Sequence, residues 1–107
     1  MTATCLVTGA TGFIGSHLVD ALLARGDAVV CLARKSSDLR WLRDKPVAFA
    51  WGDVTAPESL PPALRDVDYV FHAAGLTRAH DPADFERVNH QGTVNLLRAC
   101  ASSARRL

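Results

Sequence analysis

Apolar residues along this chain follow two rhythms. Four short runs, at residues 3–9 (ATCLVTG), 27–34 (DAVVCLAR), 47–53 (VAFAWGD) and 67–75 (VDYVFHAAG), are nearly continuous in apolar residues and rich in β-formers. Runs of this length, bounded by glycine or charged residues, predict strands. Between them the rhythm lengthens. Residues 12–26 place Ile14, Leu18, Ala21 or Leu22, and Arg25 at helical spacing, with Gly26 as a stop. Residues 36–44 predict a short helical turn that Pro46 ends. Residues 56–66 predict a short helix entered at Pro57 and interrupted or restarted around Pro61 and Pro62. From Pro82 to Ala101 a last helix sets Phe85, Val88, Gly92, Leu96 and Ala99 along one face.

Strands that are apolar throughout, alternating with helices, imply a parallel sheet covered on both faces. Right-handed crossovers then give an α/β, doubly wound arrangement with about four strands in the order 3-2-1-4. At 107 residues the chain fits one small domain.

Composition narrows the class. Apolar residues make up 49% and charged residues 21%, the balance of a soluble globular protein. A formal net charge of +1 gives no reason to expect a nucleic-acid or anionic-membrane partner. The densest basic cluster, Arg34, Lys35, Arg40 and Arg43, is broken by Asp38 and Asp44. Cys5, Cys31 and Cys100 are odd in number, far apart and without a C-x-x-C, so neither a zinc site nor a disulfide framework is suggested, and Cys5 and Cys31, in strand-like runs, are expected as buried free thiols. No leader or membrane-spanning run is visible, and a cytoplasmic location is the expectation. His17, His72, His80 and His90 show no i, i+4 pairing, so no metal site is expected.

The chemistry concentrates in TGATGFIGSH, residues 8–17. A parallel strand that turns through glycines into a helix aims the first unpaired N–H groups of that helix at the turn. The helix dipole adds roughly half a positive charge there. A pyrophosphate can sit on such a turn if the backbone approaches closely, which a Cβ would obstruct. Gly9 would permit the tight turn, Gly12 the close approach, and Gly15 the packing of helix on strand. The spacing is G-x-x-G-x-x-G, and the competing reading is a glycine-rich turn without a ligand. A Walker loop is excluded, because Ser16 and His17 stand where Lys-Ser/Thr would be required. Asp53 at a strand end invites comparison with a phospho-acceptor, but that fold needs acids after its first strand, where this chain has GATG.

With these residues in view, VTGATGFIGSHLVDALLARG resembles the opening of the extended short-chain dehydrogenase/reductases, also called the NAD-dependent epimerase/dehydratase family. GDVT after the third strand, VFHAAG closing the fourth and VNHQGTVNLLRAC in the last helix agree in order, so the resemblance covers essentially the whole chain. It implies a dinucleotide cofactor held by Gly9, Thr11, Gly12, Phe13, Ile14 and Gly15. Asp53 and Val54 would meet the adenine edge, and Ala73, Ala74 and Gly75 would line the path of ribose and nicotinamide. Asn89 matches a position that helps order the cofactor-side loops, and Thr77 and Arg78 would reach a small-molecule substrate.

NAD-binding members carry an acid at the end of the second strand; here Ala33 and Arg34 occupy that place. A guanidinium can take a 2′-phosphate bidentately. NADP, gripped by Arg34, Lys35 and Ser36, is therefore expected over NAD; the alternative is that Arg34 lies over the adenine face in a site that accepts either.

The family's proton relay is a Tyr-x-x-x-Lys pair on a helix. The sole tyrosine, Tyr69, lies in a strand, and Ala73 stands four residues on, so the pair is absent and no catalytic residue is assigned. The resemblance therefore implies an N-terminal Rossmann portion, residues 1–107, without the catalytic and substrate-binding remainder. Its parent would be an oxidoreductase or epimerase/dehydratase acting by hydride transfer on a hydroxyl or keto carbon. The alternative is a non-catalytic NAD(P)-sensing protein on the same fold. An open edge at strand four and a last helix of the kind on which the family's dimers pack lead to the expectation of a homodimer.

Overall fold

The computed structural model describes residues 3–40, 42–73, 83 and 86–103, the side chains of Ser102 and Ser103 excepted. Four strands, β1 (Thr4–Thr8), β2 (Ala28–Ala33), β3 (Ala48–Trp51) and β4 (Tyr69–His72), form one parallel sheet in the order β3-β2-β1-β4. This is the order expected from the alternation of elements. The register pairs Val7 with Cys31, Thr8 with His72, and Ala33 with Trp51, so the carboxyl ends of all four strands reach one rim.

Side chains alternate across the sheet. Cys5 and Val7 face one core with Val19 and Leu22 of helix α1 (Phe13–Ala24), while Leu6 joins Leu64, Val70 and Leu96 in a second core on the opposite face. Both faces of β1 are therefore dry, which is why its sequence reads as an unbroken apolar run. The three cysteines are free and buried, and burial pushes the Cys31 thiol up to about 11.

Helix α1 ends as the sequence predicts. Gly26, at φ +92°, donates to the Leu23 carbonyl and Asp27 donates to that of Leu22, the paired bonds of a Schellman cap. Its buried face differs from the expected stripe. Gly15, Ser16, Val19 and Leu22 turn inward, while Ile14 is 77% exposed and Arg25 lies in solvent. The cause is Gly15: its contact with the backbone of Gly9 and Ala10 fixes the rotation of the helix and leaves Ile14 pointing away.

The crossover from β2 to β3 forms turns rather than a regular helix. The Ser37 hydroxyl accepts from the Arg34 N–H at 3.0 Å, and the Asp38 carboxylate accepts from the Arg40 N–H at 3.0 Å. Such local side-chain bonds compete with helical ones. Buried Leu42 anchors the segment, and Lys45 binds it to α1 through Asp20 at 2.6 Å. Trp41 lies outside the described residues. After β3, a 3-10 turn (Pro57–Ser59) leads into α2 (Leu60–Ala63). Pro61 and Pro62 sit in its first turn, where a missing N–H leaves no gap in the helix, so they start it rather than break it.

The last helix also departs from expectation. Its described residues form a π-helix (Glu86–Gln91) that runs into an α-helix, α3 (Gly92–Ser103). The Thr93 hydroxyl donates to the Asn89 carbonyl at 2.8 Å, and Gly92 is seated so closely on Val54 that an added Cβ would lie 2.7 Å from its Cγ2. A side chain drawn into the hydrogen-bond ladder is a recognised cause of such a break in helical register. Beyond it, Leu96 and Cys100 are buried and Ala99 packs against the second core, as the spacing requires.

Candidate functional site

The glycine turn is built by three different constraints. Gly9 adopts φ +72°, a backbone region that costs an ordinary residue about 1–2 kcal/mol. Gly15 is buried, and a Cβ there would collide with the Gly9 carbonyl oxygen and lie 2.9 Å from the Ala10 Cα. Gly12 is different. It is exposed, its φ is −84°, and a Cβ would meet only the Gly9 carbonyl oxygen at 3.5 Å, an ordinary contact. The fold needs glycine at Gly9 and Gly15; at Gly12 it does not.

Gly12 is also the N-cap of α1, and no side chain caps it. The first turn contains no acidic residue, so nothing anionic within it offsets the positive end of the helix. Phe13 and Ile14 flank this end, 69% and 77% exposed, with Phe13 set edge-on against His17. Thr11 is half-buried beside them.

The other positions singled out by the sequence reach the same rim. Arg34, Lys35 and Ser36 are exposed on a turn after β2, closed by the Ser37 N–H donating to the Arg34 carbonyl at 3.0 Å. Arg40 pairs instead with Asp38, whose carboxyl it holds below the ordinary range. Asp53 is half-buried after β3, its carboxylate accepting from the Thr55 N–H at 2.9 Å. Ala73 extends the β1–β4 ladder by donating to the Thr8 carbonyl at 3.1 Å, and Asn89 is exposed in the π-helix. Ala74, Gly75, Thr77 and Arg78 lie outside the described residues.

Val54 has its side chain in the second core and its carbonyl accepting from the buried Asn95 amide at 2.9 Å. Any contact it makes at the rim therefore falls to its backbone N–H.

Several residues that wire this rim together escaped the sequence reading. The Ser59 hydroxyl lies 3.0 Å from both the N–H and the carbonyl of Asp53 and fixes the turn after β3. Asn95 and Gly92 hold that turn against α3. His72 lies 2.6 Å from the Thr8 hydroxyl through Nδ1 and 2.9 Å from the Thr93 hydroxyl through Nε2. The available sign was a histidine closing an apolar strand; burial lowers its pKa. Among the described residues no group of three His, Cys, Asp or Glu side chains could hold a metal ion.

A family model described as the NAD dependent epimerase/dehydratase family matches residues 5–107. The chain belongs to that family. Within it, the chain is 41% identical over 98 residues to a bovine (Bos taurus) sterol-4-alpha-carboxylate 3-dehydrogenase, decarboxylating, covering 90% of this chain and 26% of that protein. It is 35% identical over 94 residues to the photosystem II assembly factor Ycf39 of Synechocystis, covering 88% and 28%. The fold superposes with a TM-score of 0.83 on a UDP-glucose 4-epimerase from Thermus thermophilus solved in complex with NAD, at 36% identity over 94% of this chain and 34% of that one. The chain thus spans about a quarter of the length of the curated relatives it matches. Among the described residues no helix is long and apolar enough to cross a membrane.

Proposed function

We propose that this chain is the cofactor-holding portion of an NADP(H)-preferring enzyme that transfers hydride to or from a hydroxyl-bearing or keto carbon. One observation carries the reading: Gly12 stays without a side chain at a helix start where the protein's own packing would accept one. A residue kept bare where no neighbouring atom requires it leaves room for something that comes from outside, and the uncapped N–H groups beside it suit a pyrophosphate. When bound, a nicotinamide dinucleotide supplies the hydride.

The residues of this chain bind and orient. The N–H groups of the first turn of α1 take the pyrophosphate, and Arg34, with Lys35 and Ser36, takes the 2′-phosphate of the adenosine ribose. Asp53 and the N–H of Val54 meet the adenine edge. Proton transfer falls to groups that this sequence does not contain, since it has no Tyr-x-x-x-Lys pair. The 41% identity to a sterol dehydrogenase favours a bulky apolar alcohol or ketone over a sugar nucleotide as the substrate class.

Calorimetric titration of the intact protein tests the cofactor assignment. NADPH should bind about ten- to a hundredfold more tightly than NADH, the value of one or two charge-assisted hydrogen bonds. Equal affinities would remove the NADP preference, and no binding of either would remove the reading itself. A second reading, nucleotide binding without turnover, draws on the 35% identity to a protein named as an assembly factor. Tight NADPH binding by the full-length protein, with no oxidation of it across a panel of ketones, sterol ketones included, would favour that alternative.

A further inference from the structure

His72 is the last residue of β4, half-buried, and both of its ring nitrogens are engaged. The direction of each bond can be worked out. The Thr93 hydroxyl donates its proton to the Asn89 carbonyl at 2.8 Å. It therefore receives from His72 Nε2, which must carry the ring proton. Nδ1 is then bare and accepts from the Thr8 hydroxyl at 2.6 Å. The result is a one-way chain from Thr8, the residue before the glycine turn, through His72 and Thr93 to the peptide oxygen of Asn89 in the π-helix. It crosses three elements, β1, β4 and the π–α3 helix, at the rim where the sheet's carboxyl ends gather. A neutral imidazole satisfies every bond, in keeping with the downward shift that burial imposes on its pKa. Among the described residues, the groups bonded to the ring are two threonine hydroxyls, one on β1 and one on α3, and neither carries a charge.

We propose that His72 is a positioning residue: through Thr93 it holds the Asn89 peptide, and with it the widened helical turn, at a fixed place relative to the glycine turn. The link matters for function only if this rim holds the dinucleotide, so that part rests on the reading above. The structural part does not.

Two near-isosteric variants separate the roles of the two nitrogens. His72→Gln carries an amide donor to the Nε2 position and keeps the reach to Thr93. His72→Asn places its polar atoms near Nδ1 and falls short of Thr93. In the intact protein, imidazole nitrogen NMR should find the Nε2–H tautomer. Amide exchange across residues 86–93 should stay near wild type in His72→Gln and quicken at least tenfold in His72→Asn and in Thr93→Val. NADPH affinity should follow the same split, within threefold for Gln and weakened about tenfold for Asn.

An Nδ1–H tautomer, or equal exchange in the Gln and Asn variants, would overturn the positioning role, because a residue that merely fills space would not tell the two amides apart. If the exchange split is found but neither variant alters NADPH affinity, the role in cofactor placement is overturned. If wild type binds no dinucleotide at all, the proposed function fails while the tautomer and exchange results still decide the structural claim.

Discussion

The turns after β1 and β2 stand side by side on one rim and are made in opposite ways. After β1, shape comes from side chains that are missing: Gly9 at positive φ, Gly15 pressed on the backbone beneath it, Gly12 bare and exposed. After β2, shape comes from a side chain that is present, with Ser37 closing a turn that displays Arg34, Lys35 and Ser36 to solvent. The first turn is bound into the core and can change little without disturbing the fold. The second touches the core hardly at all and can change its charges freely. On the proposed function the two turns divide the labour: the part common to every pyrophosphate is rigid backbone, and the part that tells one cofactor from another is exposed side chain.

The sharpest way to break the comparison is at Gly15. Gly15→Ala forces a methyl into the Gly9 carbonyl, and overpacking of that kind costs about 1–3 kcal/mol or more. Set against a total stability of about 5–15 kcal/mol, urea melts should show a large drop. A midpoint like wild type would mean that α1 is not seated on the turn as described.

Gly12→Ala should do the reverse. Its N-cap position makes the substitution cost up to about 1 kcal/mol of stability. Calorimetry should nevertheless show NADPH affinity falling about thirtyfold or more, as a methyl enters the space left for the ligand. Unchanged affinity would place the ligand elsewhere.

Across the rim, Arg34→Ala should leave melting and NADH binding as they were and lower the NADPH preference about ten- to a hundredfold. Loss of both cofactors together would make Arg34 a general anchor and not a discriminator.

The β1 side carries a further link that responds to pH, through His72. The His72 pKa lies below its ordinary 6.5 in the folded chain, so the stability tied to its neutral form is complete above about 6.5. It is lost as pH falls from there through the folded value. The gap between wild-type and His72→Gln stability curves should be constant above that point and narrow below it, and a constant gap from pH 5 to 8 would refute it. The smallest effect belongs to Ser37→Ala, which removes one exposed bond worth about 1 kcal/mol and should soften the NADPH preference about threefold to fivefold in titrations.

How far the sequence showed all this depends on the range of the forces involved. The sheet order was legible because alternating runs and crossover handedness are properties of neighbouring segments. So were the distinct duties of Gly9 and Gly15, since a tight strand-to-helix turn leaves few alternatives. The inward face of α1 was misjudged by periodicity alone, because one steric contact at Gly15 sets the rotation of the helix and Ile14 has no vote in it. The wiring of the rim was hidden for a different reason. Thr8 meets His72 across 64 residues, His72 meets Thr93 across 21, and Asn95 meets Val54 across 41. No local pattern announces bonds that span so much chain, and the π-helix that accompanies them breaks the very spacing used to read a helix.

The crossover between β2 and β3 is fastened late, at Leu42 and Lys45, and hardly at all where it begins. Its opening residues behave like an interchangeable keypad bolted to the frame from behind. On the proposed NADP(H) grip, exchanging Arg34 to Ser36 for an acidic set should shift affinity towards NAD(H) without any repacking of the interior.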